Sequence, residues 1–211
     1  MRRLIIVFLC LALIASPVSA KHNKNLFGYD ESTLRYWQSR YRSSMPKVLD
    51  LLLKTGMTST NRANLNDVTF NLPLDAQDLP ASYDVGEPFV FFVREGSRVI
   101  TMSITSVMFL DELSKAAAWL YSEGCTFDPL ADYMAMLQYR NPQYFGGHYP
   151  TPLQALAIPT ETFNDEDSVQ TEVEDLALSF FNEARVFIIA HELGHIESLE
   201  KNKTGCREVA E

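Results

Sequence analysis

The 211-residue chain lacks the features that mark several common functional classes. Basic residues are fewer than acidic ones, 18 against 27, which argues against binding to nucleic acid or to anionic membrane surfaces. The sequence has no internal repeat, no glycine-rich phosphate loop, no G-x-S-x-G nucleophile motif and no basic patch. Cysteine and histidine, the residues that most often bind metals, are also few, with 3 and 4 in the chain.

Long hydrophobic runs are also missing. The longest, Leu4 to Ala15, has 12 residues, and a bilayer span needs about 20. Basic residues precede this run in Met1-Arg2-Arg3, and the small-residue site Val18-Ser19-Ala20 follows it, as in a secretory signal peptide. We therefore expect a signal peptide at 1–20 that is cleaved after Ala20, with a retained signal anchor as the alternative.

Export defines the expected state of the mature chain. We expect a periplasmic or secreted protein with no integral membrane segment after cleavage, 16 basic against 27 acidic residues and a net charge of −11. Cys10 is removed with the signal peptide, which leaves Cys125 and Cys206. A cysteine pair in an oxidising compartment predicts a disulfide bond. The alternative use of Cys125 is as a metal ligand.

Residues 21–83 predict an N-terminal helical region followed by a connecting arm. Ser32 can cap a helix from Thr33 to about Ser44, and Pro46 is expected to break or restart it. The arm is rich in Asn, Asp and Pro, and one short strand is expected in it at Val68 to Leu72.

The remaining part, 84–211, begins with a predicted hairpin. Its two strands, Phe89 to Arg94 and Arg98 to Ser103, are joined by Glu95-Gly96-Ser97. Apolar residues then recur at helical spacing from Val107, and this helix is expected to end at Gly124.

A second helix and a long loop follow. Asp128-Pro129 is a good N-cap and first-turn pair for a helix from Leu130 to about Arg140. Asn141 to Asp167 is interrupted by Pro and Gly, and its length suggests a functional loop. His148 or Tyr149 in this loop could face a reaction centre and donate to a developing oxyanion, although an ordinary surface loop is the commoner case.

The strongest signal is His191-Glu192-Leu193-Gly194-His195, which follows an apolar run. On a helix, residues i and i+4 lie on one face, so the two imidazoles can share one tetrahedral zinc. Glu192 then lies beside the metal, where it can accept a proton from a zinc-activated water. We expect the histidines to extend the core-facing stripe of the helix. For Gly194 there is a purely structural alternative, in which it only lets another segment pack close to the helix. That stripe comprises Val173, Ala177, Phe180, Ala184 and Ile188.

This pentapeptide resembles the active-site helix of the zincin superfamily of zinc metallopeptidases. The resemblance covers about residues 184–211. It implies an α+β, zincin-like fold in which a small β-hairpin or sheet packs against several helices, including the H-E-x-x-H helix. The extended third-histidine pattern is not met, because Ser198 and Lys201 stand where its glycine and histidine belong. The chain is therefore closer to the gluzincin-like branch, whose third ligand is a downstream Glu on a following helix.

Helix geometry ranks the candidates for that third ligand. If the helix stops near Leu199 or Glu200 and the chain turns through Lys201 to Gly205, a returning helix favours Glu211 over Glu208. No full helix forms behind Glu211 in this sequence. Either the ligand helix lies beyond residue 211, so that the 84–211 domain is truncated, or the site is that of a degenerate relative.

The sequence thus predicts an exported zinc metallopeptidase that acts on a peptide or protein substrate. His191, His195 and Glu211 would hold Zn²⁺, and Glu192 would act as general base. The alternative is a non-catalytic exported binding or interaction protein with a degenerate zincin site. A minor alternative is a deformylase-like zinc hydrolase in which Cys125 completes the metal site, because Glu123-Gly124-Cys125 precedes the motif in that order.

Overall fold

The computed structural model describes residues 26–56, 58–75, 79, 89–163 and 172–208, with side chains for all of these except 60, 61, 161, 162 and 199–208. Within these ranges the chain is α+β, with six α-helices and a three-stranded sheet. The elements in order are α1 (Glu31–Thr55), α2 (Ser59–Asn64), β1 (Thr69–Asn71), β2 (Phe91–Val93), β3 (Val99–Met102), α3 (Ile104–Ser122), α4 (Asp128–Tyr139), α5 (Pro152–Ala155) and α6 (Glu172–Glu208). The expected signal peptide at 1–20 lies outside the described residues.

Helix α1 is longer than the sequence predicted. It begins after Asp30, whose carboxylate accepts from the Thr33 N–H at 2.9 Å, so Asp30 rather than Ser32 is the cap. Pro46 lies inside the helix and does not break it. Proline has no N–H to donate to the preceding turn, and packing offsets this loss, because buried side chains lie on both sides of Pro46. These buried side chains are Leu34, Tyr41, Met45, Leu49 and Leu53.

The sheet is mixed and has the order β1-β3-β2. The predicted hairpin is confirmed, since β2 and β3 pair antiparallel with Phe91 opposite Met102 and Val93 opposite Ile100. Gly96 in the connecting turn has a φ of +74°, a conformation that glycine adopts at little cost. The expected strand near Val68 is also confirmed as β1, which pairs parallel with β3. Strand β2 is therefore an edge strand of this sheet.

Helices α3 and α6 form the main helix pair and run antiparallel. Ile104 and Val107 from the start of α3 share one core cluster with Ile189, Leu193 and Ile196 from the later part of α6. The second half of α3 belongs to a different cluster, against which the earlier part of α6 packs through Phe180. Helix α1 and the sheet pack into the first cluster, and strand β2 also contacts α6. This contact brings the sheet edge to the H-E-x-x-H segment.

The described part of the region between α3 and α6, residues 123–163, contains short helices as well as loop. Helix α4 begins at Asp128, two residues before the predicted start at Leu130, so Asp128 lies in the helix and is not its cap. The Asp128 carboxylate accepts instead from the Thr126 hydroxyl at 3.0 Å. Two 3₁₀ turns, Pro142–Phe145 and Thr160–Phe163, flank α5. The α+β class and the packing of a small sheet against helices are thus confirmed. None of the described helices has the length and hydropathy needed to cross a bilayer.

Candidate metal centre

The His191, Glu192 and His195 side chains all come from α6, in the part that packs against α3 and β2. Buried Ile189, Leu193 and Ile196 hold this part of the helix in the core and fix its rotation about its own axis. The helical conformation predicted for the motif is confirmed. The two histidines therefore lie one turn apart on the same face.

The two imidazoles are already close to a chelating geometry. The Nε2 atoms of His191 and His195 lie 3.0 Å apart, and the ring centroids are 4.6 Å apart with an interplanar angle of 86°. Two nitrogens that share a tetrahedral zinc at about 2.0–2.1 Å are separated by roughly 3.3 Å. Small side-chain rotations would open the pair by the difference, so metal binding requires no movement of the helix backbone.

Glu192 completes the cluster. One ligand atom from each of His191, Glu192 and His195 lies within 4.8 Å of the others, so among the described side chains these three form a group that could hold a metal ion. The two imidazoles suit zinc, which binds nitrogen ligands readily, and the Glu192 carboxylate lies beside them. Because adjacent residues on a helix point about 100° apart, Glu192 approaches this space from the side rather than in line with the histidines.

The histidines face solvent, which corrects the expectation that they extend the core-facing stripe. His191 and His195 are exposed, whereas Leu193 between them has no exposed surface. Each histidine is two residues from Leu193 and therefore points about 160° away from it. The stripe that faces the core is the neighbouring one, with Phe181, Ile189, Leu193 and Ile196. A metal held by the histidines would be accessible to a substrate.

Glu192 has the opposite environment, since only 5% of its surface is exposed. Burial raises the pKa of the Glu192 carboxyl to about 7, and a hydrogen bond from the Val93 backbone N–H opposes this rise. A carboxylate with a pKa near neutrality, next to a candidate metal position, is well suited to accept and return a proton. The placement agrees with the predicted role of Glu192 as general base, although the role itself remains a prediction.

Phe187 and Gly194 are neighbours of the two histidines on α6. Phe187 lies one turn before His191, with 41% of its surface exposed and its ring centroid 6.3 Å from the His191 ring. Gly194 is exposed, and a Cβ built on it would meet nothing within 4 Å. No described segment packs closely against Gly194, so the structural alternative for this glycine is not supported.

The turn and returning helix that were predicted to carry a third ligand are not present among the described residues. Helix α6 continues to Glu208 without the predicted turn through Lys201 to Gly205. Along a continuous helix, Glu208 is about 20 Å beyond His195, too far to share a metal with it. Glu211 lies outside the described residues, and its role as a ligand remains a prediction that has lost the turn it was based on.

The cysteines do not join the cluster. Cys125 is exposed and follows α3, at the end of that helix that lies away from the histidines. Its predicted role as a zinc ligand is therefore not supported. Cys125 is free within the described part of the chain, while the Cys206 side chain is not described. The predicted disulfide bond stays a prediction.

The predicted oxyanion donors are also placed elsewhere. Tyr149 is buried in the second core cluster, and its hydroxyl donates to the Arg140 carbonyl at 2.5 Å at the end of α4. Tyr149 therefore has a structural role in the second core. His148 is exposed and is not part of the cluster formed by the α6 histidines.

Sequence reasoning missed the Val93 backbone N–H and the exposed Phe187 ring. The sequence predicts the hairpin, but it gives no signal for which strand is at the sheet edge or which backbone groups face α6.

Comparison with protein families, with curated proteins and with solved structures finds no match to this chain. The assignment of the site therefore depends on its residues and their geometry.

Proposed function

We propose that the chain is an exported zinc-dependent metallopeptidase with a zincin-like arrangement of its active-site helix. The observation that supports this most directly is the pair of exposed imidazoles, 3.0 Å apart, beside the buried carboxylate of Glu192. An α+β fold in which a sheet edge packs against this helix is consistent with the proposal. The predicted export signal gives the expected location, in the periplasm or outside the cell.

In this proposal, His191 and His195 hold the zinc ion. A bound zinc supplies Lewis acidity that acts on a substrate carbonyl and on water. Glu192 accepts a proton from the attacking water and returns it to the amine that leaves when the peptide bond breaks. The exposure of the histidines leaves the metal face open to an extended peptide, and the burial of Glu192 keeps its proton affinity high.

The lack of a third ligand among the described residues favours one rival. In this rival, the chain is an exported binding protein that keeps the two histidines but does not turn over a substrate. A catalytic zinc ordinarily has three protein ligands. The rival therefore predicts zinc binding without peptide hydrolysis.

The test uses the chain that begins at Lys21, purified without chelators. We expect one zinc per chain and cleavage of peptide substrates, with the cleavage rate reduced about 10²–10⁴-fold in Glu192→Gln while zinc content is unchanged. Stoichiometric zinc with no cleavage by the wild type would support the binding protein. Protein that contains no zinc and takes none up would contradict both proposals.

A further inference from the structure

The edge strand β2 directs a backbone amide at Glu192. The Ser103 N–H donates to the Val90 carbonyl at 3.2 Å, which fixes the phase of the antiparallel ladder. Hydrogen-bonded and non-hydrogen-bonded pairs alternate along an antiparallel ladder. The backbone N–H and C=O of Phe92 therefore point towards β3, and the backbone N–H of Val93 points away from β3. Strand β2 is an edge strand, and it is the strand of this sheet that makes the main contact with α6.

The partner of this outward N–H is the Glu192 carboxylate, which accepts a hydrogen bond from Val93. Glu192 is 5% exposed, so its side chain has little freedom to turn towards solvent. A carboxylate has two oxygens, and one bond from Val93 leaves the other free to act towards the histidine face. One ligand atom from each of His191, Glu192 and His195 lies within 4.8 Å of the others, so the carboxylate is within reach of a water between the two imidazoles.

We propose that the Val93 backbone N–H is a positioning group that holds the Glu192 carboxylate in the orientation needed for proton transfer. This inference rests on the proposed function for its catalytic consequence. The hydrogen bond restricts Glu192 to one orientation, and the packing of β2 against α6 fixes the distance between strand and helix. Val93 acts through Glu192 and does not contact the substrate.

Proline at position 93 removes the amide hydrogen selectively. The Val93 N–H takes no part in the ladder with β3, so Val93→Pro deletes the contact with Glu192 without breaking a strand hydrogen bond. Phe92 is already extended, as the residue before a proline prefers. Val93→Ala is the matched control, because it also removes packing of the valine side chain but keeps the N–H.

For the zinc-loaded protein we expect Val93→Pro to lower kcat about 10–100-fold relative to Val93→Ala, with KM and zinc affinity similar in the two variants. A structural defect alone would lower zinc content or melting temperature together with kcat. Equal kcat values for the two variants would overturn the proposal.

A second measurement does not depend on activity or on the folding of the proline variant. In the wild type we expect the Val93 amide to be protected from hydrogen exchange, and Glu192→Ala to reduce this protection at least 10-fold. The Phe91 amide, which faces the same outer edge, is the internal control and should change little. Unchanged exchange at Val93 would overturn the proposal. A wild type without peptidase activity would refute the proposed function, and the exchange data would still decide whether Val93 holds Glu192.

Discussion

Zinc should stabilise this protein through two side chains that contribute little to the metal-free fold. Both histidines are exposed, and His191 contacts chiefly the His195 ring and the half-exposed Phe187 ring. Substitution of such a surface residue usually changes the free energy of unfolding by less than about 0.5 kcal/mol. We therefore expect His191→Ala and His195→Ala to unfold, without metal, close to the wild-type temperature.

With metal the same variants should differ clearly from the wild type. A ligand that binds only the folded state at 100 times its Kd stabilises it by about 2.7 kcal/mol. For a chain of this size, each kcal/mol raises Tm by roughly 2–4 °C, so zinc should raise the wild-type Tm by about 5–11 °C. The separation of 3.0 Å between the Nε2 atoms keeps the cost of reorganisation low, because the pair opens by only a few tenths of an ångström.

The assay is thermal unfolding of the mature chain in EDTA and at increasing zinc concentration. His148→Ala is the matched control, since His148 is also exposed but lies outside the metal-binding cluster. We expect a zinc-dependent rise in Tm for the wild type, His148→Ala and Glu192→Gln, and none for His191→Ala or His195→Ala. An equal rise in His191→Ala, or no rise in the wild type, would refute the assignment of these imidazoles as the metal ligands.

Three further predictions concern the fold around the site. Leu193→Ala, at a side chain with no exposed surface, should cost about 2–5 kcal/mol in urea unfolding with or without metal, and a cost below 1 kcal/mol would contradict the assigned orientation of α6. Gly194→Ala should stabilise the helix by about 0.5–1 kcal/mol in the same assay because the site is open, whereas destabilisation would indicate a close contact there. Burial raises the pKa of Glu112, and a hydrogen bond from the Thr151 side chain only partly opposes this rise, so the folded state favours the protonated form and loses stability as pH rises above the usual range for Glu. Glu112→Gln should therefore raise Tm at pH 8 and leave it nearly unchanged at pH 4, and equal effects at both pH values would argue against a raised pKa.

Local signals predicted most of the elements correctly. The turn Glu95-Gly96-Ser97 set the hairpin, Gly124 ended α3, and the helical spacing within the motif placed His191 and His195 on one face. Each of these depends on residues that are near one another in the sequence, where backbone preference and side-chain spacing decide the outcome. Ser32 and Pro46 misled the prediction of α1 because packing against the core outweighed the local signals.

The orientation of α6 could not be predicted, for a reason visible in its sequence. The adjacent pairs Phe180-Phe181 and Ile188-Ile189 create two overlapping apolar stripes, and either one can serve as the core face. Packing against α3 and β2 selects the stripe that ends in Leu193 and Ile196. The turn predicted at Lys201 to Gly205 failed for a related reason, since one glycine costs a helix only about 1 kcal/mol and does not by itself end it.

The orientation of α6 gives the residues of the motif separate roles, with Leu193 in the core and the histidines at the surface. The helix turns about 100° per residue, so burial of Leu193 exposes both histidines and leaves Glu192 at the boundary, against the edge of β2. Substitutions of the exposed histidines should therefore change metal affinity with little effect on folding. The position of Glu192, by contrast, depends on the packing of β2 against α6. A substitution that shifts β2 relative to α6 should then change catalysis before it changes zinc binding. If zinc binding is lost first in such variants, the histidines depend on the core more than their exposure indicates.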